Sequence, residues 1–327
     1  MAGAESNLEQ GLQPAVDTLG RQAGDGATSE DEPVPPGGRA LRTGTVVMDE
    51  AELALMRAAE GDKVVFHEGR YWRSTHPGFF EPVHILARLQ AHEATRPTRL
   101  SWGYRAALTN EAGSVAKNTM PVYCLEKASE FSERSLSRNR RSDLRKCAKH
   151  VELKVLREPS LLLEQGHEVF MSAVERLGYW KPLTKAEYRR RAERRFSHGR
   201  RQLVAGLVDG RLAGYLDAFA VDGILYPEEI YVATDALRTG IGTGLYVETI
   251  TTALRSGKVQ EVCNGLHTPE NPSLCRFKES LRFQVVHVPT RSVIVPPALA
   301  LIRARRPAVY YRLTGVMPRS LGDAESP

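Results

Sequence analysis

Ile224-Leu-Tyr-Pro-Glu-Glu-Ile-Tyr-Val232 runs through Ala233-Thr-Asp-Ala-Leu-Arg238-Thr-Gly240-Ile-Gly242-Thr-Gly244-Leu245, and the fold turns on this stretch. An apolar run of strand type enters a glycine-rich loop, and apolar spacing of helical type follows to about residue 256. Glycines let main chain approach a ligand closely. Free N–H groups at a helix start, aided by the helix dipole, attract a phosphate. The letters exclude two nucleotide loops. A dinucleotide fingerprint needs G-x-G-x-x-G, and here position 245 is Leu. A P-loop needs Gly-Lys followed by Ser or Thr, which is absent. A helix N-terminus whose glycines serve packing stays open.

Upstream, Asp209-Gly210 and Asp222-Gly223 separate three apolar runs, residues 202–208, 212–221 and 224–232. Asp-Gly supplies the positive φ angles of two-residue hairpin turns, so these runs form an antiparallel meander. Before it come a strand at 151–156, an amphipathic helix at 161–177 closed by Gly178, and a basic helix at 185–196. A further helix ending near His150 carries Arg138, Arg140, Arg141, Arg145, Lys146 and Lys149. Downstream lie a strand at 259–266, a helix opened by Asn271, and a strand at 283–288.

Residues 44–134 are less patterned. His67-Glu68-Gly69 reads as a hairpin turn, residues 82–94 have helical spacing through Val83, Leu86, Ala87 and Leu89, and residues 121–125 read as a strand. Residues 1–43 are rich in Gly, Glu, Asp, Ser and Pro and are expected to be a disordered acidic tail. The chain thus divides into that tail, a small α+β region at 44–134, a main domain at 135–290 and a C-terminal extension at 291–327.

The order strand, two helices, three-strand meander, helix, strand, helix, strand resembles the GNAT superfamily of acyl-CoA N-acyltransferases. That family carries an R/Q-x-x-G-x-G/A loop after its fourth strand, which Arg238, Gly240 and Gly242 match. The helix from Asn271 to Phe283 keeps the family's Asn, spacing and final Phe, but Arg282 replaces a Gly and Lys278 stands at the usual Tyr. Phe277-Lys278 and the basic helix at 138–150 are closer to the FemAB-like branch with its BioF2-type acetyltransferases. In that branch a degenerate acyltransferase-like half precedes the main domain, where residues 44–134 lie. The resemblance implies an α+β fold: a mixed twisted sheet with helices on both faces.

It also implies a chemistry. Acetyl-CoA, or another acyl-CoA, would be the co-substrate, held by Arg238, Thr239, Gly240, Ile241, Gly242, Thr243, Gly244 and Asn271. Main-chain groups of Tyr231, Val232 and Ala233 would pair with pantetheine like an added strand. Transfer to an amine needs a group to take its proton and donors for the developing oxyanion. Glu229 and Glu228 are the candidate bases; strand alternation sends them to opposite faces, so at most one faces the cleft. Asp217 is a weaker candidate, and Lys278 would steady the oxyanion or the thiolate. Cys275 and His267 read as structural. The acceptor is a small-molecule amine of unstated identity. An aminoacyl-tRNA donor, which makes a nucleic acid the partner, and a non-catalytic scaffold are the alternatives.

Composition limits the rest. Residues 1–40 carry a net charge of −5 and the remainder +11, so the body suits an anionic partner such as CoA phosphates. The four cysteines show no disulfide or metal-ligand spacing, and no apolar run reaches the ~18 residues of a membrane span. No signal peptide is visible, and a cytoplasmic location is expected.

Overall fold

In the computed structural model the described residues are 45–178 and 181–318, so the acidic tail and the end of the C-terminal extension lie outside them. The strands are β1 Val47–Met48, β2 Val64–His67, β3 Arg70–His76, β4 Phe79–Pro82, β5 Gly103–Ala107, β6 Asn118–Leu125, β7 Glu152–Leu156, β8 Gln202–Val208, β9 Arg211–Val221, β10 Ile224–Val232, β11 Glu261–Leu266 and β12 Gln284–Ile294. The helices are α1 Glu50–Ala59, α2 Arg138–His150, α3 His167–Leu177, α4 Lys185–Phe196, α5 Ile241–Leu254, α6 Pro272–Ser280, α7 Pro296–Arg305 and α8 Pro307–Thr314.

Local chemistry sets many of these limits. Asp49, Ser137, Thr184 and Asn271 cap α1, α2, α4 and α6, each accepting a first-turn N–H. Gly178 closes α3 at φ 69°. Asp209-Gly210 and Asp222-Gly223 hold the expected positive φ angles, and so does Glu68-Gly69 between β2 and β3.

All strands join one mixed sheet in the order β2-β3-β4-β5-β12-β6-β11-β10-β9-β8-β7, with β1 beside β9. The order repeats itself about the β12–β6 pair. On one side, the meander β2-β3-β4 leads to β5, parallel to β4. On the other, β8-β9-β10 leads to β11, parallel to β10. The two halves exchange their next strands: β6 pairs with β11, and β12 pairs with β5. The described residues on either side of residue 134 therefore share one sheet. β12 runs on to Ile294, past residue 291.

The expected helix at 82–94 does not form: Pro82 ends β4, and residues 83–94, on the way to β5, are turns, bends and irregular chain apart from a bridge at Leu89. Val83, Leu86, Ala87 and Leu89 are all buried. Their spacing records burial against the core, which apolar periodicity alone does not distinguish from a helix. In the second half the matching connection is α5. It is buried along most of its length against Leu225, Val262 and Leu216 on one face of the sheet. On the opposite face α1 covers Phe219 and Val221, and α3 and α4 cover Leu203, Tyr215 and Tyr231. Helices thus cover both faces, as expected.

Candidate active site

β10 and β11 pair only at Ile224–Glu261 and Leu225–Val262 and then part. A cavity of about 600 Å³ opens where they separate. Tyr226, Glu228, Ile230 and Val232 line it from β10, and Cys263, Asn264 and Gly265 from β11. Gly242 and Tyr246 of α5, with Asn271, Leu274, Phe277 and Lys278 around α6, close it. Two parallel strands forced apart leave main-chain groups unpaired, which is a place for an extended ligand.

The glycine loop divides its labour. Gly240 has φ 78°, and a side chain there would meet the Asp143 carbonyl oxygen 2.2 Å away. At Gly244 a Cβ would sit 2.2 Å from the Cys147 sulfur. Both glycines let α2 pack against α5. At Gly242 nothing lies within 4 Å, and this residue borders the cavity. The N–H groups of Ile241, Gly242 and Thr243 precede the helix's own ladder and are available to an anion. Ile241 itself is fully buried, and Thr243 Oγ1 accepts from Arg140 Nη1 at 3.1 Å. Arg238 and Thr239 line a separate groove with Ala233 and Asp235. Asn271 spends its side-chain oxygen on the N–H of Leu274 and the hydroxyl of Ser273.

The main-chain expectation shifts by one residue. Ala233 N–H donates to Ala213 on β9, so Tyr231 and Ala233 turn their main-chain groups toward β9. Ile230 and Val232 face the gap. Arg176 Nη1 already donates to the Val232 carbonyl at 2.9 Å.

Glu228 and Glu229 do not take opposite faces. A bulge leaves Glu228 without a partner, since Pro227 pairs with Ala218 and Glu229 with Asp217. One extra residue reverses the alternation. Both glutamates therefore line the main cavity and also a neighbouring one of about 560 Å³. Arginines hold both. Glu228 accepts from Arg57 at 2.6 Å and Arg201 at 2.7 Å. Glu229 accepts from Arg191, from Arg195 at 2.7 Å and from the Tyr231 hydroxyl at 3.1 Å. Desolvation opposes the Glu228 charge, but Arg57 and Arg201 outweigh it and hold its carboxyl well below the usual range. Asp217, fully buried, pairs with Arg195 and Arg201. Glu228, with both oxygens on guanidinium groups, is therefore a weak proton acceptor.

Lys278 is buried, donates to the Asn264 carbonyl at 2.6 Å and lies 4.9 Å from the centre of the Tyr123 ring. Desolvation pushes its pKa down to about 8. Asn264 went unnoticed in the sequence. Its side chain is buried in the cavity wall, its Oδ1 accepts from Tyr246 at 3.3 Å, and its Nδ2 has no partner among the described residues. A lone Asn in the apolar strand Val262-Cys-Asn-Gly was the available signal. Cys275 is packed with its thiol on the Thr268 carbonyl, and His267 meets the Tyr311 hydroxyl at 2.8 Å.

No protein-family profile and no curated protein sequence matches the chain. Solved structures do. FemX aligns over 77% of this chain and 93% of its own, at 10% identity and a TM-score of 0.56. L-PGS from Bacillus licheniformis aligns over 81% and 92%, at 11% identity and 0.52. The C-terminal DUF2156 domain of a protein described as a lysylphosphatidylglycerol synthetase, from Agrobacterium fabrum, aligns over 81% and 92%, at 12% identity and 0.51. With its parted parallel pair and glycine-bordered cavity, the chain has the GNAT-like acyltransferase fold.

Proposed function

We propose that this chain is an N-acyltransferase that moves an acyl group, acetyl in the simplest case, from acyl-CoA to a small-molecule amine. The observation that carries the reading is the cavity where β10 and β11 part, bordered by Gly242 at the start of α5. CoA pyrophosphate would rest on the N–H groups of Ile241, Gly242 and Thr243, and pantetheine would run along Ile230 and Val232. Lys278 and the unpartnered Asn264 amide would supply positive charge and a donor for the oxyanion. The amine would enter from the second cavity, where Arg190, Arg191 and Arg194 gather. Glu228 and Glu229 would hold that arginine cluster in place.

Two observations favour the other donor, an aminoacyl-tRNA. Arg176 occupies the Val232 carbonyl, which pantetheine would need, and Phe277-Lys278 resembles the FemAB-like branch. A single experiment separates the readings. Acetyl-CoA should raise the melting temperature of the wild type by mass action and release thiol when amines are supplied. Gly242→Glu, which places a negative side chain in open space, should abolish the thermal shift without unfolding the protein. Equal shifts in both proteins would remove α5 from the donor site. Binding without thiol release toward any amine would favour a scaffold, and no binding at all would favour the tRNA donor.

A further inference from the structure

With the glutamates tied to arginines, the amine proton needs another destination. His84 is 3% exposed and lies in the turn segment that follows β4. It lines the same cavity as Tyr226, the first β10 residue beyond the last pair with β11. His84 Nδ1 is 2.9 Å from the Tyr226 hydroxyl, and Nε2 is 3.2 Å from Asp222 Oδ2. Leu86 N–H donates to the same hydroxyl at 3.3 Å. These contacts fix the proton positions of a neutral ring. An ionised Asp222 only accepts, so Nε2 carries the proton. Nδ1 then accepts, and Tyr226 donates to it. The phenol oxygen has two lone pairs; Leu86 uses one and leaves one, on a residue that lines the cavity.

We propose that Tyr226, His84 and Asp222 form the proton relay of the transfer reaction, a role that rests on the acyl-transfer reading above. As the amine nitrogen bonds to the thioester carbon, its N–H bond breaks and a new O–H bond forms on Tyr226. The original phenolic proton passes to His84 Nδ1, and Asp222 holds the imidazolium. When the C–S bond breaks, the proton returns by the same path to the departing thiolate. The relay resets with no net proton gained or lost. Asp222 is a positioning residue: it sits in the β9–β10 turn, outside the cavity, with its side chain 44% exposed.

The surroundings contain other charges. Glu50 of α1 faces His84 and is paired with Arg70 at 2.8 Å. Cys263 and Glu261 of β11 and Cys124 of β6 neighbour Tyr226. Phe219 stacks on Tyr226 at 5.0 Å, and the Arg57 guanidinium lies 4.8 Å from the Phe219 ring centre.

The test has two arms on the full chain. In the first, thiol release with an accepted amine is followed against pH. Tyr226→Phe and His84→Gln should lower turnover about 100-fold or more at pH 7, as loss of acid–base catalysis does, with acetyl-CoA affinity unchanged. Both should flatten the pH dependence that the relay would impose on the wild type, and both should recover partly at high pH, where the amine is already neutral. Asp222→Asn should lose about tenfold, less than the roughly 10²–10⁴-fold of a lost acid–base group because it only positions the ring, and it covers the case in which a buried variant fails to fold. Turnover within twofold of wild type in Tyr226→Phe, or a lower melting temperature with the pH profile intact, would overturn the relay and leave a structural pin. The second arm needs no catalysis. The ¹⁵N spectrum of His84 should show the Nε2–H form with Nδ1 hydrogen-bonded, and Tyr226→Phe should remove that bond. An Nδ1–H form would overturn the proposal. A wild type silent toward every amine refutes transfer from acetyl-CoA, while the spectrum still decides whether the relay is assembled.

Discussion

Replacing Lys278 with Met should change how stability depends on pH, by an amount the structure sets. The Lys278 ammonium is buried, and desolvation lowers its pKa from 10.5 to about 8. That gap corresponds to about 3 kcal/mol. Below pH 8 the folded and unfolded chains both carry the proton, and the folded protein bears the full cost of the buried charge. Between about 8 and 10.5 the folded protein has released the proton and the unfolded chain still holds it. The unfolded state then binds more protons, so stability rises with pH across this window. Urea unfolding of wild type and Lys278→Met at pH 7 and pH 10.5 isolates the effect, because the other groups cancel in the comparison. The wild type should gain about 3 kcal/mol relative to the variant between the two pH values. At pH 7 the variant escapes the charge penalty but leaves the Asn264 carbonyl without its donor, which costs about 1–3 kcal/mol. Its stability should therefore lie near that of the wild type, while turnover falls and high pH does not restore it. Parallel pH dependence in the two proteins would refute the buried ammonium and, with it, the charge assigned to the site.

Glu228→Gln and Glu229→Gln should each reduce stability by about 1.5–3 kcal/mol, the range for hydrogen bonds to charged groups, and lower turnover by less than about tenfold; a loss of 10²–10⁴-fold rescued at high pH would make one of them the base after all. The part of stability that Glu228 supplies should be full above the usual carboxylate pKa, decline as pH falls below it, and be gone once pH has fallen through its depressed pKa, which acid titration of wild type against Glu228→Gln would reveal. Arg176→Ala should uncover the Val232 carbonyl and tighten acetyl-CoA binding several-fold by calorimetry, if pantetheine pairs along that edge; weaker binding would make Arg176 part of the donor site instead.

Turn chemistry and periodicity carried most of the second half. Asp209-Gly210 and Asp222-Gly223 marked the meander, Gly178 and Asn271 marked helix ends, and the glycine loop marked the start of α5. Each is a local signal, because φ angles and caps are decided within a few residues. Local signals misread the segment at 82–94, where burial imitated a helix. They also could not show that β6 stands between β11 and β12, since strand exchange joins residues more than a hundred positions apart. The site divides along the same line. Gly242, Lys278 and the two glutamates stood out in the sequence as residue types. Which glycine faces open space depended on where α2 packs, through Asp143 and Cys147. The bulge at Glu228 reversed the alternation that the sequence implies, and arginines from α1, α4 and β8's entry claimed both carboxylates. His84 had no signal beyond a single histidine in an apolar run. It reaches Tyr226 and Asp222 only because the first half of the chain folds against the second, and a proton path across 142 residues of sequence is made by packing alone.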